Sequence, residues 1–253
     1  SLGLKESKIA IISENRYEWA IAYFSIINGT GTGVPLDKYL PQNEVESLIK
    51  RSGASAIFYS ASYQEMMETV SKKETTLKYF ICMDELPQGL TDERFVIMEK
   101  LTEKGHELLD KDDRSFTASY INRDEMSILF FTSGTTEASK GVMLSHANIA
   151  GNITSLTSII KVYPNDVHLS LLPLHHTFEN TIGLMFMLHM GITIAYSEGI
   201  RHLAQNIKEF KVTVLIGVPA IFDALYKRLS EGIEKSGKKD LVNVMTKVSG
   251  FLM

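Results

Sequence analysis

The chain has 253 residues, enough for one large or two ordinary domains, each with a packed core. Hydrophobic residues make up 44% and charged residues 22%, a balance that excludes a disordered chain. Lys plus Arg is 26 against 30 for Asp plus Glu, a net charge of −4, so there is no basic excess to grip a phosphodiester backbone and no nucleic-acid partner is expected. One cysteine, Cys82, excludes an intrachain disulfide and fits a reducing, cytoplasmic compartment.

Short apolar, β-branched runs alternate with longer helical patterns along the chain. Strands are expected at 9–13, 33–36, 56–60, 79–83, 128–131, 167–172, 192–196 and 212–218. Most lack polar alternation, as strands do when both faces are covered in a parallel sheet under helices. A helix is expected at 16–27, capped by Ser13 or Asn15 and stopped by Asn28-Gly29. Others are expected at 42–52 after Pro41, at 63–71 and at 96–109. Ser145 should cap a helix from His146 to about Lys161, and 178–190 and 220–235 complete the set. The alternation implies an α/β fold of stacked parallel β-sheets flanked by helices.

Residues 109–122 and 231–240 read as solvated connectors. The break at 162–166 (VYPND) is the expected domain boundary, giving a first α/β subdomain at 1–164 and the start of a second at 165–253. The most apolar stretch, 182–196, falls short of the roughly 20 residues of a spanning helix and is broken by His189 and Gly191. A buried helix followed by a strand accounts for it. No signal peptide is read, because Lys5, Glu6 and Lys8 interrupt the first turns. The chain starts at Ser1 and stops in mid-pattern at Met253, so it is expected to be part of a longer protein.

The segment richest in chemistry is 128–146, ILFFTSGTTEASKGVMLSH. A buried strand runs into Thr132, Ser133, Gly134, Thr135 and Thr136, and Lys140-Gly141 follow shortly after. Hydroxyls, a glycine that admits close backbone approach and a mobile cation suit a polyphosphate. A plain Ser/Thr-rich loop fits the composition as well. A Walker P-loop does not, because Ser139 stands where its second glycine belongs and Gly141 where its Mg²⁺-binding hydroxyl belongs.

These residues carry a resemblance. Residues 131–136 (FTSGTT) followed by Lys140-Gly141-Val142 resemble the phosphate-loop signature of the adenylate-forming (AMP-binding) superfamily. Further segments match in the family's order: Ser13-Glu14-Asn15 before an aromatic-rich helix, residues 33–37 (GVPLD), residues 172–179 (LPLHHTFE) and residues 217–222 (GVPAIF). Residues 172–179 resemble the family's segment at the mouth of the acyl pocket, residues 217–222 have the form typical of long-chain fatty acyl-CoA synthetases, and the resemblance covers nearly the whole chain. It implies the N-terminal portion of an ATP-dependent long-chain fatty acid–CoA ligase that forms an acyl-adenylate. By resemblance, Thr132, Ser133, Gly134, Thr135, Thr136 and Lys140 contact the β- and γ-phosphates of ATP. By the same resemblance, His176 lies near the acyl carbonyl and acts in catalysis. ATP, Mg²⁺ and coenzyme A are the implied co-substrates and a fatty acid the implied substrate, with a membrane-peripheral position giving access to it. The family's adenine and ribose motifs, hinge and C-terminal lysine are not found in the chain. Glu137 and Ser139 replace the family's usual glycine and proline, and Glu137 is expected to turn to solvent in a relaxed loop.

Residues 178–190 read as a buried helix and, by resemblance, as a wall of the acyl tunnel, with Gly183 leaving room and Met185, Met187 and Met190 adapting to the chain. His175 is read as structural. The His175-His176 pair lacks a third ligand at convincing spacing, so no metal site is expected. Trp19, Tyr17, Tyr23 and Phe24 are read as helix–sheet core, and Cys82 as buried and inert. Two rival readings stay open. One is an amino-acid-activating adenylation domain, with Glu179 in place of the Asp that meets an α-ammonium. The other is a non-catalytic relative that binds acyl chains or nucleotides without turnover.

Overall fold

A computed structural model of the protein describes residues 2–73, 75–132 and 139–235. Its first strands are β1 (Ser7–Ile12), β2 (Gly31–Pro35), β3 (Ala56–Tyr59), β4 (Tyr79–Cys82), β5 (Phe95–Ile97), β6 (Met126–Thr132) and β7 (Lys140–Ser145). They form one sheet in the order β5-β4-β3-β1-β2-β6-β7, parallel throughout except for β7. Alternate β1 residues serve opposite faces. Ile9 and Ile11 join one apolar cluster, and Ala10 and Ile12 join the other. Both faces are covered, which is why this strand shows no polar alternation.

Helix α1 (Tyr17–Ile27) lies on the first face, while α2 (Gln42–Ser52) and α3 (Gln64–Ser71) lie on the second. The bounds of α2 are those expected, and it closes on Gly53 in the left-handed conformation that glycine adopts without strain. Neither Ser13 nor Asn15 caps α1. Arg16 takes the cap position with no side-chain capping bond. Its guanidinium bonds Asp84 at 2.8 Å and Glu18 at 2.7 Å, tying the helix start to the loop after β4. Helix α4 (Met98–Asp110) follows β5 directly. Strand β5 was not expected, because three residues between a turn and a helix leave almost no periodic signal.

Strand β7 was also unexpected. It pairs antiparallel with β6, so the Ser/Thr-rich loop joins two strands of a hairpin. Its sequence, KGVMLS, places only Val142 and Leu144 against the core, and this weak alternation gave no strand signal. Helix α5 (His146–Ile159) starts as expected at Ser145, whose hydroxyl accepts from the Asn148 amide in a reciprocal capping box.

A second sheet has the order β10-β8-β9, all parallel, from β8 (Val167–Ser170), β9 (Thr193–Tyr196) and β10 (Val214–Leu215). Strand β10 is shorter than expected. It lies at the edge of the described sheet, and its ladder with β8 spans two residue pairs. Between β8 and β9 the chain forms a π-helix, Glu179–Phe186, that runs into the short helix α6 (Met187–His189). Helices α7 (Leu203–Glu209) and α8 (Pro219–Lys235) complete the described elements. Helix α7 was not foreseen in the sequence. The first apolar cluster includes Leu174 and Leu184, so the core around α1 continues into the segment after β8.

Trp19 and Tyr23 are buried and stacked at 4.9 Å between centroids, as the core reading requires. Tyr17 departs from that reading and is 62% exposed. Cys82 is fully buried, and desolvation raises its pKa, so it is held as an inert thiol. No described helix is long and apolar enough to cross a membrane.

Candidate active site

In a parallel sheet the carboxyl ends of neighbouring strands share one edge, where ligands bind in such folds. Here β1 ends before Asn15, β2 before Asp37, and β6 at Thr132. Lys140 starts β7 directly opposite Thr132. Both are solvent-exposed, and among the described residues Lys140 has no ion-pair partner. Ser133, Gly134, Thr135 and Thr136 lie outside the described residues, as does Glu137 with its expected turn to solvent. The described part of the hairpin therefore offers the Thr132 hydroxyl and the Lys140 ammonium at the sheet's carboxyl edge.

Helix α2 adds a group that no motif marks. The Arg51 guanidinium donates to the Ser139 carbonyl and lies 5.5 Å from the centre of the Phe131 ring. It holds the start of β7 against a flat apolar surface.

The turn after β8 lies over the same edge. Asn15 Nδ2 donates to the Leu172 carbonyl at 2.6 Å, and the Leu174 amide donates to Asn15 Oδ1 at 3.2 Å. His175 Nε2 stands 3.5 Å from Asp37 Oδ1. Contacts to the chain just beyond β1 and β2 thus bring the turn bearing His175 and His176 to the edge that carries Thr132 and Lys140. His176 is exposed, and its backbone is fixed at both ends. Its amide donates to the Pro173 carbonyl, and its carbonyl accepts from the Asn180 amide.

Burial lowers the pKa of His175, and Asp37 offsets part of that shift. A folded pKa below the unfolded value favours the neutral ring. This contribution to stability is complete above about pH 6.5 and is lost as pH falls below it. His175→Gln is therefore expected to flatten the acid limb of the stability curve below about pH 6.5, measured by urea unfolding. An acid limb of unchanged slope would contradict the buried neutral ring.

Beneath the turn the π-helix buries a carboxyl group. Glu179 has no exposed surface, and its Oε1 accepts from the Ser170 hydroxyl at 2.7 Å. His168 Nε2, equally buried, stands 3.5 Å from the same oxygen. Both ring nitrogens of His168 and Glu179 Oε2 lack hydrogen-bond partners among the described residues. Burial first, and then the Glu179 carboxyl and Glu18, push the Tyr196 phenol up to about 12.

Gly183 does not leave room for an acyl chain as the sequence suggested. A Cβ there would overlap the Glu179 carboxyl, so the notch accommodates a side chain of the same helix. Met187 is core, and Met185 and Met190 pack against the apolar clusters. An open apolar cavity of about 690 Å³ lies between α1 and β9, lined by Tyr17, Phe24, Leu188 and Tyr196 among others. None of Thr132, Lys140 and His176 lines it.

Comparison with known proteins defines the class. Residues 1–250 match the family described as AMP-binding enzyme. The chain belongs to that family. It is 28% identical over 242 residues to Fatty acyl-CoA synthetase B of Dictyostelium discoideum, an alignment covering 92% of this chain and 35% of that protein. It is 31% identical over 252 residues to Long-chain-fatty-acid--CoA ligase 5 of Rattus norvegicus, covering 93% and 36% respectively. The chain thus spans about a third of the length of these relatives. Among solved structures, the N-terminal domain of FACL13 from Mycobacterium tuberculosis shares the fold at a TM-score of 0.68 and 22% identity, over 88% of this chain and 52% of that one.

Proposed function

We propose that this chain is the N-terminal portion of an ATP-dependent acyl-CoA synthetase acting on long-chain fatty acids. The observation that carries the reading is the convergence of two segments on one sheet edge. One is the hairpin end with Thr132 and Lys140, and the other is the turn with His176. The substrate class rests on the likeness to a fatty acyl-CoA synthetase and to a long-chain fatty acid–CoA ligase.

In this reading Lys140 and the hydroxyl of Thr132 hold the β- and γ-phosphates while a fatty acid carboxylate attacks the α-phosphorus. The α–β phosphoanhydride bond breaks and pyrophosphate leaves with the negative charge that Lys140 stabilises. His176 donates a hydrogen bond to the acyl carbonyl oxygen. The thiol of coenzyme A then displaces AMP from the acyl-adenylate. Exposed cationic and hydroxyl groups at the carboxyl edge suit a polyphosphate. Mg²⁺ would neutralise the phosphates as the counter-ion of ATP.

One observation weighs against the amino-acid-activating alternative. The Glu179 carboxyl would have to meet an ammonium, yet it is fully buried and accepts from Ser170.

The test is isotope exchange between pyrophosphate and ATP. The chain alone is expected to show none above background, because orientation supplies much of the rate and two thirds of the relatives' length lies outside it. The full-length ligase is expected to exchange with hexadecanoate and not with amino acids. Exchange driven by amino acids alone would reverse the assignment.

A further inference from the structure

Two asparagines make hydrogen bonds to which the reaction as described assigns no role. Asn15 follows β1 of the first sheet. Its side chain takes both the Leu172 carbonyl and the Leu174 amide, and it also donates to the Ser170 hydroxyl at 3.1 Å. Asn180 sits in the first turn of the π-helix and has no exposed surface. Its Nδ2 donates to the Leu174 carbonyl at 3.3 Å, its backbone amide to the His176 carbonyl at 2.9 Å, and its Oδ1 accepts from the Tyr23 hydroxyl at 2.9 Å. Leu174 is thus held by its amide from one side and by its carbonyl from the other. His176 follows two residues later.

We propose that Asn15 and Asn180 are positioning residues that clamp residues 172–176 from two different elements and so present His176 at the shared carboxyl edge. The chemistry favours such a clamp. A side-chain amide carries a donor and an acceptor a fixed distance apart, so it holds adjacent backbone groups in one register. The Asn180 side chain is fully buried, where a hydrogen bond is strong and an unmade one costly. The clamp also spans the chain from residue 15 to residue 180, so the turn is set by tertiary contacts as well as by its own Pro173–His176 bond. A catalytic hydrogen-bond donor must be fixed before the substrate arrives, since displacement by about 1 Å costs on the order of a hundredfold in rate.

The inference rests on the adenylate-forming reading, and the experiment separates the two. Asn15 is only partly buried, so Asn15→Ala is the working variant. In this chain, hydrogen exchange of the Leu174 amide is expected to speed up at least about tenfold, with the β1 and β3 amides unchanged. In the full-length ligase, Asn15→Ala is expected to lower kcat about tenfold and leave the KM for ATP within about twofold. The decisive readout is the double variant. In a His176→Ala background, Asn15→Ala should lower kcat by less than about twofold, because a positioning residue acts only through the group it positions. An unchanged Leu174 exchange rate, or an equal loss with and without His176, would overturn the clamp. A His176→Ala variant with full kcat would instead overturn the role of His176, and the exchange measurement would still report on the hydrogen bonds.

Discussion

In the proposed full-length ligase, Lys140→Ala is expected to lower kcat/KM for ATP by roughly ten- to a hundredfold, the equivalent of one charge-assisted hydrogen bond of about 1.5–3 kcal/mol. Fatty acid binding should change little. Lys140 begins β7, opposite Thr132, where its exposed ammonium has no carboxylate partner among the described residues. A surface lysine of no function would be replaced with almost no effect, because exposed substitutions away from special features stay within about 0.5 kcal/mol. Steady-state kinetics with ATP and then fatty acid as the varied substrate separate the two cases. Unchanged ATP kinetics would remove Lys140 from the phosphate site.

Glu179→Ala is expected to cost about 3–5 kcal/mol of stability, because it leaves the buried Ser170 hydroxyl without the acceptor it donates to and opens a void beside Gly183. For a chain of this size that corresponds to a fall in Tm of about 6–20 °C. The pair is a liability of its own, since three of its polar atoms already lack partners. Replacing both members, His168→Leu with Glu179→Met, should therefore cost far less than the single change, within about 2 kcal/mol of the parent. Urea unfolding of the parent, the single variant and the double variant makes the comparison. A double variant as unstable as Glu179→Ala would show that shape, not the unmatched polar pair, sets the cost.

The contrast between these two sites shows what the amino-acid order revealed. The α/β alternation was legible because β1 and its neighbours are covered on both faces and read as unbroken apolar runs. The α2 bounds and the Ser145 cap were legible because proline, glycine and serine act locally on the backbone. The family was legible because its motifs are contiguous segments that occur in a fixed order. Asn15 was misread because a capping asparagine and an asparagine bonding a backbone 157 residues away look the same in sequence. Gly183 was misread for a related reason. A small residue signals vacant space, but only the fold shows that its own helix fills that space with Glu179. The π-helix itself has no sequence signature in an apolar run, and it places Glu179 against β8 through one hydrogen bond to Ser170. Strand β7 was hidden because only two of its six residues pack against the core.

The most direct test of the central claim is hexadecanoate-dependent exchange of labelled pyrophosphate into ATP by the full-length ligase, run beside its Lys140→Ala and His176→Ala variants. The account requires exchange in the parent that depends on the fatty acid. It requires a loss in Lys140→Ala that appears in the ATP constant, and a loss in His176→Ala that appears in turnover. Exchange in the parent that survives both substitutions undiminished would contradict it, because neither the hairpin end nor the turn after β8 would then belong to the site.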